Sequence, residues 1–120
     1  MRMEGFVLEK NIKERVDREG RQAVKELLGD RLWSIYEDEV IERHKSGEKL
    51  TYGVVAEKCF CDQRTIERMV HPWDPQLPTI YNLWLFYEAL DVSSEEQLSI
   101  QKEITGFIRT YIKTGSEGKK

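Results

Sequence analysis

Apolar residues recur along this chain at helical spacing from end to end, and no stretch alternates with the period of two that a half-buried strand requires. Leu8, Ile12 and Val16 fall four apart, followed by Ala23, Val24, Leu27 and Leu28. Residues 4–28 therefore predict helix, with Gly20 a weak point that leaves one bent helix or two. Gly29 is suited to end that segment in a left-handed conformation, and Asp30 to cap the next. Leu32, Trp33, Ile35, Tyr36, Val40 and Ile41 then predict a strongly amphipathic helix ending before Ser46-Gly47. Pro78-Thr79 opens a later helix with Ile80, Leu83, Trp84, Tyr87 and Leu90 inward. Leu85 and Phe86 widen its apolar surface almost all round, which implies burial on two sides. Ser93-Ser94-Glu95-Glu96 is a capping box. It starts a last helix carrying Leu98, Ile104, Phe107, Ile108, Tyr111 and Ile112, and residues 115–120 predict a disordered tail.

Residues 50–71 are the stretch around which the rest is arranged. Thr51 is a candidate N-cap, followed by Val54, Val55, Ala56 and Cys59, and Asp62 is a candidate N-cap for a second short helix. In that helix Ile66, Met69 and Val70 share one face, and Gln63, Arg64, Glu67, Arg68 and His71 point away from it. Polar side chains on a short, well-anchored helix are what reading the DNA major groove requires. The plain alternative is a solvated helix face.

This segment resembles the helix-turn-helix of phage repressor and Cro-type (Xre-like) regulators. A small residue stands where the two helices cross, here Ala56, flanked by Val55, Cys59, Cys61, Ile66 and Met69. The likeness continues through Leu77-Pro78-Thr79-Ile80 and Tyr87 to Ser93, and spans roughly residues 32–93. The resemblance implies an all-α, lambda-repressor-like helix-turn-helix domain over residues 30–92. Residues 1–29 are then an N-terminal helical extension, and 93–114 a C-terminal helix for packing or dimerisation. Where the family has glycine in the turn this chain has Phe60, which predicts a turn of different shape, because bulky residues rarely adopt positive φ.

The implied function is sequence-specific binding of double-stranded DNA by a transcriptional regulator, a repressor in the family's usual mode. Gln63, Arg64, Glu67 and Arg68 are the expected base contacts, with Gln suited to adenine and Arg to guanine, and Arg68, one turn on, is open between a base and a phosphate. Glu67 is open between a cytosine contact and a helix pair with Gln63 or Arg64. Thr51, Tyr52, His71, Thr79 and Asn82 are the expected phosphate contacts, near helix ends. A homodimer is expected. The N-terminal helix either packs on the main domain or is shared with a second subunit, and the last helix packs back on Leu85 and Phe86, serves a dimer, or both. Trp73, between two prolines, either covers the core edge or faces DNA or a partner.

Charge tempers this picture. The net charge is −3, and residues 30–48 hold three basic against six acidic groups, while the other segments are nearly balanced. No segment is a basic stripe, so the electrostatic footprint of a nucleic-acid binder is weak. A protein-interaction module on the same fold (an antitoxin, a co-regulator or an inhibitor of a host protein) is the second expectation. Salt separates the two, since phosphate neutralisation fades steeply with ionic strength and an apolar interface does not.

There is no phosphate loop, nucleophile elbow or usable set of metal ligands, so no enzyme activity and no cofactor are expected. Cys59-x-Cys61 with His71 or His44 does not match the common zinc spacings, and the cysteines read as buried apolar side chains in a reducing compartment. No apolar run reaches membrane-spanning length and the first residues do not form a signal peptide, so a cytoplasmic location is expected.

Overall fold

The computed structural model describes the backbone of residues 2–117 and the side chains of residues 12–113. Leu8 and residues 118–120, named above, fall outside what is described at side-chain or backbone level. Five α-helices follow one another, α1 (Arg2–Lys45), α2 (Tyr52–Lys58), α3 (Gln63–Val70), α4 (Ile80–Ala89) and α5 (Ser94–Glu117), with no strand among the described residues. The all-α expectation holds. At 1.5 Å per residue a 44-residue helix spans about 66 Å, which accounts for the longest dimension of 67 Å.

The expected break between residues 28 and 30 does not occur, and α1 runs straight through Gly29. The reason is tertiary. A Cβ on Gly29 would stand 2.7 Å from Pro72 Cα and 2.9 Å from Pro72 N, so glycine lets the backbone after α3 lie directly on α1. Gly20 does not break the helix either. A Cβ there would meet the Tyr111 ring at 3.0 Å, and the Tyr111 hydroxyl donates to the Val16 carbonyl at 3.2 Å. With Arg31 and Glu103 3.6 Å apart, these contacts run α5 antiparallel along α1. α5 also continues to Glu117, into the stretch expected as a tail.

Local capping explains where the short helices begin. The Thr51, Thr79 and Ser93 hydroxyls accept from the backbone N–H groups of Val54, Asn82 and Glu96, and Asp62 Oδ1 accepts from Thr65 N–H at 2.9 Å. Each satisfies one of the orphan donors of a first turn.

Three helices end in one way and α3 in another. After α1, α2 and α4 the chain turns through a left-handed residue, respectively Gly47, Phe60 and Asp91. The next N–H reaches back to the helix: Glu48 to the Arg43 carbonyl, Cys61 to Ala56, Val92 to Tyr87. This is the Schellman arrangement. Phe60 therefore keeps the left-handed turn that its bulk argues against, with φ 54° and 86% of its surface exposed. Left-handed backbone costs an ordinary residue about 1–2 kcal/mol. Phe60→Gly is accordingly expected to raise stability by about 1 kcal/mol after the entropy of glycine is subtracted. Thermal unfolding of the variant checks this, and a lower melting temperature would contradict it.

The core gathers Leu28, Leu32 and Ile35 of α1, Val55, Ala56 and Cys59, then Ile66, Met69 and Val70 of α3, closed by Phe86, Tyr87, Leu90 and Ile100. Ile41, Ile80 and Trp84, expected inside, are exposed. On α4 the buried positions are Phe86, Tyr87 and Leu90 with Leu83 beside them, and this stripe turns Ile80, Tyr81 and Trp84 outward. A helix apolar on nearly every side carries no periodic signal for which side is buried.

Candidate nucleic-acid interface

The outward face of α3 is built by its anchors. Ile66, Met69 and Val70 are buried, so the same helix must present Gln63, Arg64, Glu67 and Arg68 away from the core. Val55, Ala56 and Cys59 of α2 complete the packed motif, and Cys61 is half-buried. Burial, and secondarily Cys61, push the Cys59 thiol up to about 11, which makes it an unreactive apolar filler. Among the described residues no group of three or more His, Cys, Asp or Glu side chains is placed to hold a metal ion.

At its start α3 is fixed by Asp62. Thr65 donates to that carboxylate through its hydroxyl at 2.6 Å as well as its N–H. These bonds, hydroxyl first, hold the Asp62 carboxyl below its ordinary 3.8. The cap is complete above the ordinary value and is lost as pH falls through the folded one.

At its end α3 is fixed by a residue that the sequence pattern hides. Pro72 has no N–H to offer the Arg68 carbonyl four residues earlier. Lys25 of α1 takes that place. It is 0% exposed, and its ammonium donates to the Arg68 and His71 carbonyls, both at 2.7 Å. A cation at a helix C-terminus also opposes the negative end of the helix dipole. Burial lowers the Lys25 pKa and the nearby Asp74 carboxylate raises it. Lys25 and Gly29, one turn apart on α1, thus form a socket for the end of α3, one supplying the missing donor and the other the space for Pro72. One signal for Lys25 was present in the sequence: it falls on the inward stripe with Leu28 and Leu32.

The expected contact residues divide by what they already touch. Gln63 Nε2 donates to Glu67 Oε1 at 3.0 Å, so Glu67 is the helix partner of Gln63. A Cβ on Gly53 would lie 3.4 Å from Gln63 Oε1, which places the start of α2 beside the start of α3. Arg68 is held by the loop after α3, with Nη1 donating to Gln76 Oε1 at 2.9 Å and Nε 3.9 Å from Asp74 Oδ2. Arg64 is exposed and has no hydrogen-bond or ion-pair partner among the described residues.

Thr51 and Thr79 use their oxygens as caps but keep their hydroxyl protons to donate, and Asn82 is half-exposed in the first turn of α4. Tyr52 and His71 are half-buried in a run of rings. Tyr36 stacks on Tyr52 at 4.6 Å, Tyr52 meets His71 edge-on at 6.2 Å, and His71 stacks on Trp73 at 4.5 Å. Trp73 does not seal the core edge, since 71% of it is exposed and its ring stacks on His71. Burial raises the Tyr52 pKa, with smaller contributions from Tyr36, Glu67 and Glu37. Two carboxylates near that hydroxyl make it a poorer phosphate partner than Thr51. The charge at this face is mixed, with Asp62, Glu67 and Asp74 set among Arg64 and Arg68.

No helix among the described residues is long and apolar enough to cross a membrane. No family model matches the chain, and no curated protein or solved structure is significantly similar to it.

Proposed function

We propose that the chain is a sequence-specific double-stranded DNA-binding regulator that reads the major groove with α3. The observation that carries this reading is the anchoring of α3 at both ends, by the Asp62 cap and by the buried Lys25 ammonium, while its outward face bears Gln63 and an unengaged Arg64. A reading helix needs such rigidity, because base-edge hydrogen bonds are lost with small displacements. The Thr51 and Thr79 hydroxyls at the starts of α2 and α4 suit phosphate contacts that set register. Repression is the mode that the resemblance to Cro-type regulators suggests, and two copies on half-sites about 34 Å apart are the usual way for so short a helix to gain contacts.

Arg64→Ala is expected to cost about 1–3 kcal/mol on the cognate site and to relax preference at one base pair. Arg68→Ala, which removes a guanidinium held by Gln76 and Asp74, weakens all sequences alike. Titration of both variants against a selected duplex and its single-base variants measures the difference. An Arg64→Ala protein with wild-type affinity and preference would contradict the assignment.

A second reading, an interaction module on the same fold, is favoured by exposed apolar side chains in the turn after α2 and on α4. Phe60 keeps a strained conformation while exposed, and Ile80, Tyr81 and Trp84 line the outer side of α4. Exposed apolar patches of this kind mark contact surfaces.

A further inference from the structure

Arg68 is held twice, once by its backbone and once by its side chain. Lys25 donates to the Arg68 carbonyl at 2.7 Å, which fixes where the side chain starts. Gln76 Oε1 accepts from Nη1 at 2.9 Å and Asp74 Oδ2 stands 3.9 Å from Nε, which fixes where it ends. The two holding residues are themselves fixed. Asp74 N–H donates to the His71 carbonyl at 3.1 Å, Asp74 Oδ1 accepts from the Gln76 N–H at 2.9 Å, and Pro75 between them locks its own φ. Nη2 has no partner among the described residues, so the fork still offers N–H donors, but from a set position. Arg64, four residues earlier on the same face, is exposed and unheld.

A free arginine follows the phosphates of any duplex, because that attraction carries no sequence information and dominates non-specific binding. A held arginine with a carboxylate beside it gains only where a phosphate arrives at its fork. Elsewhere Asp74 already answers its charge and opposes the phosphates that pass. We infer, resting on the reading proposed for α3, that Asp74 and Gln76 are positioning residues for DNA recognition. They hold the Arg68 guanidinium for one phosphate of the cognate register and lower affinity for duplexes bound out of register. The cognate site and its single-base variants share that register, so losing Arg68 weakens them alike. An unrelated duplex has no phosphate fixed against the fork. Specificity is a difference of affinities, and weakening the wrong complexes raises it as surely as strengthening the right one.

The test titrates the full chain against the duplex selected from a random pool and an unrelated duplex of equal length, at several salt concentrations. Asp74→Asn tightens binding to the unrelated duplex by about threefold or more and changes the selected one by less than about twofold. Its salt slope on the unrelated duplex steepens by about 0.9, the mark of one further phosphate neutralised. Asp74 also faces the buried Lys25 ammonium, so this variant is open to a loss of stability. Gln76→Ala spares that pair and lowers the ratio of the two affinities in the same direction. With Arg68→Ala already in place, neither substitution moves the ratio. A ratio unchanged in Gln76→Ala and Asp74→Asn, from a wild type that does select a sequence, overturns the inference and leaves the reading by α3 standing. The same gain with and without Arg68 also overturns it, since the carboxylate would then act on DNA through its charge alone. A wild type that selects no sequence removes both.

Discussion

Lys25→Met is expected to lower stability by about 2–4 kcal/mol. The two side chains have similar length, so the change removes little packing and isolates the ammonium. Two charge-assisted hydrogen bonds disappear with it. His71 keeps the N–H of Asp74 on its carbonyl, but the Arg68 carbonyl is left without a donor, because residue 72 is proline. An unpaired buried carbonyl costs about 1–3 kcal/mol by itself, and the better burial of methionine offsets only part of the total. Chemical denaturation of the two proteins gives the difference. It should also depend on pH. The folded pKa of Lys25 lies below its ordinary 10.5, because burial outweighs the opposing pull of Asp74. Between those two values the unfolded chain holds a proton that the folded chain has released, so this residue contributes increasing stability as pH rises through the window. The neutral amine still has two N–H donors for its two carbonyls. The wild type should therefore gain on the methionine variant as pH approaches 10.5, and a constant gap would show that Lys25 keeps its proton throughout.

Gly29→Ala reverses the usual outcome of replacing a helical glycine. Inside an exposed helix that change gains about 1 kcal/mol of propensity. Here the new methyl meets Pro72 Cα at 2.7 Å and Pro72 N at 2.9 Å, backbone atoms that cannot rotate away. Either α1 bends or the chain after α3 lifts off it, and the shift also pulls the His71 carbonyl from Lys25. A net loss of about 1–3 kcal/mol is expected, in the range of overpacked cores. Gly20→Ala is the internal comparison, because its neighbour is the Tyr111 ring, a side chain able to shift. A loss at Gly29 with little change at Gly20, read from melting temperatures, supports the socket. Equal gains at both would remove it.

What the sequence makes legible follows from the range of the forces involved. Thr51, Asp62, Thr79 and Ser93 act within one turn of themselves, so their types and spacing identify each cap. Val55, Ala56, Cys59, Ile66 and Met69 are legible as core because α2 and α3 are short and their polar sides are unambiguous. Gly29 is not legible, because its role is set by Pro72, a distant residue, and a glycine that makes room looks in sequence like a glycine that ends a helix. The outward placement of Ile80 and Trp84 is not legible, because α4 is apolar on nearly every side and only its neighbours choose the buried one. Of the candidate contacts, the outward placement of Gln63, Arg64, Glu67 and Arg68 was legible from periodicity. That Arg68 would be held by Gln76 and Asp74, and Gln63 by Glu67, was not, since loop geometry decides it.

The central claim is that the outward face of α3 reads duplex DNA, and the weak basic balance of the chain makes it a demanding one. Selection from a randomised duplex pool, followed by affinity measurements on the enriched sequence at several salt concentrations, tests it directly. The account predicts one enriched motif whose binding falls with salt at a slope of about −0.9 per phosphate neutralised, and whose preference is lost in Arg64→Ala. A pool from which no sequence is enriched, with no salt-dependent binding by the wild type, would contradict it.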